Sequence, residues 1–292
     1  MSKFLRAAAL LVASAVLPSC SAVDALNATV STDRVTVQRD LAYADFPRGR
    51  MDVWRPAAGG TGLPLVVFIY GGSWKDGSKN DYKFVAAPLA GQGMVVVVPD
   101  YRLVPEVRFP TFLEDNARAV AYARAHAAEW GADPHRIFLV GHSAGAYDAL
   151  MLAVDPHYLA DVGMSRNMLA GVVGIATPAD FLPLDDAATI AAFGQAPDLA
   201  LTQPVHFADN RAPPMLLLHG EADDTVYLRN SRAMAAKVQA AGGDVTLKTY
   251  PGVGHIGIVT SFSPLFEGKA PVLADVTSFI NAHPAVAGAS GL

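Results

Sequence analysis

Ile137-Phe-Leu-Val-Gly-His-Ser-Ala-Gly-Ala-Tyr147 joins a short apolar run to a Gly-x-Ser-x-Gly turn and then to helix-forming residues. The run Ile137–Val140 reads as a strand buried on both faces, and Ala144, Ala146, Ala149, Leu150, Met151 and Leu152 follow at helical spacing. A strand that becomes a helix within so few residues leaves the serine on a sharp, strained turn. Gly141 and Gly145 remove the Cβ atoms that would clash there. Ser143 Oγ is then expected at the carboxyl edge of a sheet, above a helix N-terminus whose unpaired N–H groups attract negative charge. Average composition alone places a Gly-x-Ser-x-Gly in about one chain of this length in ten, so the strand before it and the helix after it carry the reading.

Four further apolar runs share this character: Leu63–Tyr70, Met94–Val98, Leu169–Ile175 and Met215–Leu218. Strands buried on both faces of a parallel sheet read as such continuous runs. Helices are expected at Asp81–Leu89, Thr111–Trp130, Ala144–Val154, Leu228–Ala241 and Pro271–Asn281. The alternation predicts an α/β fold, a mostly parallel central sheet with helices on both faces. Thr111 with Glu114 reads as a capping box, and Gly131 as a helix stop. Val35–Leu41 and Arg50–Trp54 alternate apolar and polar residues across a Phe46-Pro-Arg-Gly49 turn, as antiparallel edge strands do, and Val245–Tyr250 reads as a late strand. Residues 176–212 break the rhythm with Pro178, Pro183, Pro197 and Pro204 and one helical piece, Asp185–Phe193. They read as a short cap-like insertion, because ligands of open sheets bind outside the carboxyl ends of the strands. A surface connection without function is the alternative.

With 292 residues, 52% of them apolar, and no repeat or polar linker, the chain suits one large domain over residues 35–284 and a C-terminal tail at 285–292. Residues 1–20 have the parts of a lipoprotein-type signal peptide: Lys3 and Arg6, the apolar run Ala7–Leu17, and Leu17-Pro-Ser-Cys20. That run is too short to span a bilayer. Processing there predicts a protein exported to a bacterial envelope and anchored through a lipidated Cys20, with residues 21–34 as a tether. Cleavage after Ala22 would leave it periplasmic or secreted, and an uncleaved cytoplasmic tail is the third reading. Cys20 is the only cysteine, so no internal disulfide can form. The net charge is −5, or −7 once Lys3 and Arg6 are removed, which argues against a nucleic-acid partner. No H-E-x-x-H or paired-cysteine spacing calls for a metal, and no other cofactor is implied.

A serine hydroxyl needs a base to take its proton, and the base needs an acid to orient it. Met215-Leu-Leu-Leu-His-Gly-Glu-Ala-Asp-Asp-Thr-Val226 is a buried strand followed by an acidic loop, and Gly252-Val-Gly-His255 presents an imidazole after another strand. Ser143, Asp223 and His255 then stand in the order nucleophile, acid, histidine. Asp224 competes with Asp223; the spacing Gly220-x-x-Asp223-x-x-Val226 favours Asp223. Among the other histidines, His142 is turned from Ser143 by adjacency and His219 reads as a strand-end stabiliser. Ile69-Tyr-Gly-Gly-Ser-Trp74, after the first buried strand, is placed to offer amides to an oxyanion. Tyr70, Trp74 and Tyr147 are candidate substrate-binding residues, with core packing as the other reading for Tyr147.

Tyr70-Gly-Gly-Ser-Trp74, Asp100-Tyr-Arg-Leu103 with Pro105-Glu106 and Phe109-Pro110, Gly141-His-Ser-Ala-Gly145, His219-Gly220 with Asp223, and Gly254-His255 together resemble the α/β-hydrolase esterases of the hormone-sensitive-lipase and acetyl-xylan/feruloyl esterase type. The resemblance covers about residues 36–284. It implies the α/β-hydrolase fold and hydrolysis of small-molecule carboxylic esters through an acyl-enzyme. By the family pattern the amides of Gly72, Ser73 and Ala144 form the oxyanion hole. Tyr70 stands where the family commonly carries a histidine. An arylformamidase-like amide hydrolase or a peptidase would use the same triad, and a non-catalytic envelope binding protein is the alternative from another class.

Overall fold

The structure, a computed structural model, describes residues 22–286. The signal-like segment, Cys20 with its expected lipid, and residues 287–292 of the tail lie outside the described residues.

The apolar runs form the centre of one sheet. Its strands are β1 Val35–Ala42, β2 Arg50–Pro56, β3 Leu63–Ile69, β4 Val95–Pro99, β5 Ala132–His142, β6 Leu169–Ile175, β7 Met215–Gly220 and β8 Val245–Tyr250, in the order β1-β2-β4-β3-β5-β6-β7-β8. β2 runs antiparallel to both neighbours and every other pairing is parallel. Leu65–Ile69 on β3 and Ile137–Val140 on β5 are fully buried, each large side chain contributing about 1.5–3 kcal/mol of hydrophobic stabilisation. That double burial is why neither strand alternates polar with apolar residues.

The winding places the site. β4 follows β3 on one side, whereas β5 to β8 are laid down successively on the other. The carboxyl ends of neighbouring β3 and β5 therefore sit where the winding reverses, the position at which open α/β sheets open a crevice.

The helices are α1 Ala22–Ala28, α2 Lys83–Gly91, α3 Thr111–His126, α4 Ala144–Val154, α5 Pro156–Ala160, α6 Ala187–Phe193, α7 Pro204–Phe207, α8 Arg229–Ala240, α9 His255–Thr260 and α10 Val272–Ala282. α1, α9 and α10 pack on α2 as one layer; α3, α4, α5, α7 and α8 form another through successive contacts. No described helix is long and apolar enough to cross a membrane.

Two local expectations are corrected. Residues 22–28 of the expected tether are helical: Leu26 is buried, and the Asn27 side chain accepts from the Phe84 amide at 3.0 Å and donates to the Asp81 carbonyl at 3.1 Å. Asn27 thereby satisfies a backbone donor in the first turn of α2, which has no partner inside that helix. The Thr111–Glu114 capping box is not formed, because Pro110 occupies the cap position and makes no side-chain bond. The far end follows the pattern, a 3₁₀ turn Ala127–Trp130 closing on Gly131 at φ +84°.

Candidate active site

Three loops at the reversal bring the predicted residues together. The turn between β5 and α4 holds Ser143 at φ 55°, ψ −124°, a strained conformation for a residue with a Cβ. A Cβ on Gly145 would collide with the Ile69 carbonyl of β3, and one on Gly141 with the Gly145 carbonyl. Only glycine at both positions lets the first turn of α4 press this closely on β3 and β5.

His255 opens α9 after the bend Gly252–Gly254, and Asp223 lies on the loop after β7. His255 Nε2 is 2.9 Å from Ser143 Oγ, and His255 Nδ1 is 2.8 Å from Asp223 Oδ2. Because a carboxylate only accepts, the ring proton sits on Nδ1 and leaves Nε2 free to accept from the serine hydroxyl. Asp223 Oδ1 accepts the amides of Thr225 at 3.0 Å and Val226 at 2.8 Å. Burial pushes the Asp223 carboxyl up, but bonds from His219, His255 and the Val226 amide outweigh it and hold the group well below the usual carboxylate range. Asp224 is exposed and borders the cleft instead.

Two other histidines support these loops. His219 donates through Nε2 to the Val226 carbonyl at 2.7 Å, accepts at Nδ1 from Ser231 Oγ at 2.7 Å, and lies 3.4 Å from Asp223 Oδ2. His142 is buried and donates through Nε2 to the His255 carbonyl at 3.1 Å. Burial, then the neighbouring His255, lowers its pKa to about 3, so it stays neutral.

Gly72, Ser73 and Trp74 follow β3 with φ of 130°, 54° and 58°, three consecutive left-handed residues. The amides of Gly72, Ser73 and Ala144 donate to no protein acceptor among the described residues. A cleft of about 380 Å³ opens over Ser143. Its buried lining, Trp74, Ala144, Pro178 and Phe181, is apolar, and its exposed or half-buried lining, Asp185, Asp186, Thr189, Asp224, Tyr227 and Arg229, is polar. Residues 176–212 thus contribute directly to the cleft. Their seat is Phe193 of α6, buried against Trp74 at a ring separation of 4.7 Å, and the Phe109 amide bonds the Ala192 carbonyl at 3.0 Å. A larger surface depression of about 510 Å³ beside α10 lies away from Ser143 and is lined by no histidine.

Of the candidate substrate-binding residues, Trp74 lines the cleft and the other two do not. Tyr70 is fully buried; its hydroxyl donates to Asp100 Oδ1 at 2.7 Å and accepts from Arg48 Nη2 at 2.7 Å. These bonds anchor the start of the 70–74 loop in the core. Tyr147 is also fully buried, donates to the Thr202 carbonyl at 2.8 Å, and meets Trp74 edge-on. An aromatic ring beside a motif invites a cleft reading, with core packing as the other reading for Tyr147; in the structure the polar ends of both find partners in the core. Arg48, Asn230 and Asp148 were missed. Asn230 accepts the amides of Ala179 at 3.2 Å and Asp180 at 2.9 Å, tying the insertion to α8. Asp148 did carry a signal, as the single charge in the otherwise apolar helix AGAYDALMLAV.

A family model described as BD-FAE matches residues 51–238, more than half of the chain. The chain belongs to the BD-FAE family. This BD-FAE member is similar to Esterase LipC of Mycobacterium tuberculosis, 31% identical over 244 residues that cover 76% of this chain and 60% of that protein. It is also similar to the isoprenylcysteine alpha-carbonyl methylesterase ICME of Arabidopsis thaliana, 26% identical over 270 residues, covering 85% and 62%. The chain spans about three-fifths of the length of these curated relatives. Among solved structures, Esterase B from Lactobacillus Rhamnosis in a tributyrin phosphonate-inhibited form superposes with a TM-score of 0.77 at 22% identity, covering 89% of this chain and 90% of that one. At that identity the likeness carries the fold, and the BD-FAE chain has the α/β-hydrolase architecture.

Proposed function

We propose that this chain is a serine esterase that cleaves carboxylic esters of small molecules through an acyl-enzyme. The observation that carries the reading is the single hydrogen-bonded line from Asp223 through His255 to Ser143 at the floor of the cleft. His255, in the tautomer held by Asp223, takes the Ser143 proton as Oγ attacks the ester carbonyl. The same imidazolium then gives that proton to the departing alcohol oxygen, and water repeats the sequence in reverse to release the acid.

Negative charge developing on the carbonyl oxygen is met by the amides of Gly72, Ser73 and Ala144, which have no competing protein acceptor among the described residues. Each such donor stabilises the transition state by about 3 kcal/mol. The buried apolar lining formed by Trp74, Ala144, Pro178 and Phe181 suits a short acyl group, and the polar lining suits the alcohol portion. The relatives' names, Esterase LipC and a methylesterase, support an ester over an amide.

Ser143→Ala tests the reading on p-nitrophenyl acetate. Loss of at least about a thousand-fold in kcat is expected; turnover equal to wild type removes Ser143 from the reaction.

A further inference from the structure

Asp148 lies five residues beyond Ser143 on α4 and is fully buried. Its Oδ1 accepts from Trp74 Nε1 at 3.1 Å and its Oδ2 from Asn116 Nδ2 at 3.0 Å. Among the described residues no cation pairs with it. A buried acid without a counter-charge is costly, and burial accordingly drives its pKa well above the usual carboxylate range. Two side-chain donors from different elements, Trp74 after β3 and Asn116 on α3, converge on this one acid and tie both to α4.

Ser73 and Trp74 hold left-handed backbones at φ 54° and 58°, which are unfavourable for a residue with a Cβ. Such strained conformations persist only where the surroundings over-determine them. The Trp74 carbonyl is held by the Val104 amide at 2.8 Å, and its ring by Tyr147 and Phe193 edge-on. The one polar handle of its side chain is the indole N–H, and Asp148 takes it.

The bond also joins the two halves of the proposed oxyanion hole. Ala144 contributes its amide from the first turn of α4, one helical turn before Asp148, whereas Gly72 and Ser73 contribute theirs from the loop that ends in Trp74. We propose that Asp148 is a positioning residue: through the Trp74 indole it sets the distance between the loop amides and the Ala144 amide. This rests on the esterase reading of the site. Because the correct spacing matters most when charge develops, loosening it lowers kcat and leaves KM nearly unchanged.

Asp148→Asn is the conservative variant: it keeps an oxygen for Trp74 Nε1 when its NH2 group turns to the unpartnered Asn116 Oδ1. Asp148→Ala removes both acceptors, and Trp74→Phe removes the indole donor. With p-nitrophenyl acetate, Asp148→Ala is expected to lose about 10- to 100-fold in kcat with KM within about two-fold, and Asp148→Asn to lose less. Asp148→Ala added to Trp74→Phe should lose no more kcat than Trp74→Phe alone, since both break one link. Near-wild-type kcat in an Asp148→Ala protein that melts cooperatively, or losses that multiply in the double variant, overturn the proposal. If the wild-type chain turns over no ester, the esterase reading fails, and the link is read by NMR instead. The Trp74 indole proton, assigned by its absence in Trp74→Phe, must exchange with solvent faster in Asp148→Ala; unchanged exchange overturns the positioning role.

Discussion

Replacing Asp223 by asparagine separates a site that works by setting a tautomer from one that merely looks arranged. Asp223 Oδ1 accepts the amides of Thr225 and Val226 at 3.0 and 2.8 Å, and Oδ2 accepts Nδ1–H of His255 at 2.8 Å. An asparagine of the same shape keeps its one carbonyl oxygen on the two backbone amides. Turning round would set its NH2 group against both, at about 1–3 kcal/mol for each buried donor left unpaired. The NH2 group then faces His255, which can meet it only by moving the ring proton from Nδ1 to Nε2. In that tautomer Nε2 points a proton at Ser143 and has no lone pair to receive one. The base is lost while the shape of the site remains. The equivalent change in a well-studied serine protease costs about 10,000-fold in kcat, which is about 5.5 kcal/mol of activation free energy. For this chain the expected loss on p-nitrophenyl acetate is about 1,000- to 10,000-fold, with a melting temperature within a few degrees of wild type. Asp224→Asn, at an exposed position one residue along, should change kcat by less than about three-fold. An Asp223→Asn protein that keeps more than a tenth of wild-type kcat, or an Asp224→Asn protein that loses as much, refutes the tautomer argument.

Tyr70→Phe removes a phenol that donates to Asp100 and accepts from Arg48, so unfolding in urea should show a loss of about 1–3 kcal/mol while KM for short esters stays within about two-fold; a large KM change with unchanged stability would return Tyr70 to the cleft. His142 has its pKa lowered to about 3 by burial and by His255, whereas in the unfolded chain it titrates near 6.5. Between those values the unfolded state binds the extra proton, so the stability His142 contributes is complete above about pH 6.5 and falls with acidification by up to about 1.4 kcal/mol per pH unit. Asp223, held low, adds a loss in the same direction below its ordinary value, while Asp148, held high, works the other way. Both are present in His142→Gln, so the difference between the two stability curves isolates His142. That difference should shrink as the pH falls from 6.5 to 3, and parallel curves would contradict a neutral buried His142.

What could be read from residues alone divides along a physical line. Residues 137–154 were legible because every constraint there is local: a doubly buried strand must be apolar throughout, a helix must start at once, and the serine between them needs glycine on both sides. Ser143, Asp223 and His255 each follow a recognisable strand and sit in or beside a glycine-marked turn, so sequence alone places them at one edge of the sheet. Tyr70, and the choice between cleft and core for Tyr147, escape a reading of the sequence because where a ring points depends on partners far away in sequence. Arg48 and Asp100 reach Tyr70 from the β1–β2 turn and from the end of β4, and a left-handed run such as 72–74 has no periodicity from which to infer direction. α1 was read as a tether for the same kind of reason. Seven residues have too little intrinsic propensity to form a stable helix alone, and the partners that hold them, Asp81 and Phe84, lie more than fifty residues away. Asp148 falls between these cases. Its position on α4 was visible as a lone charge in an apolar helix, but its partner, the Trp74 indole, came from a loop whose conformation only the assembled sheet determines. The turn that presents Ser143 can therefore be located from sequence, whereas the residues that pack behind the 72–74 loop become apparent only once β3 and β5 lie side by side.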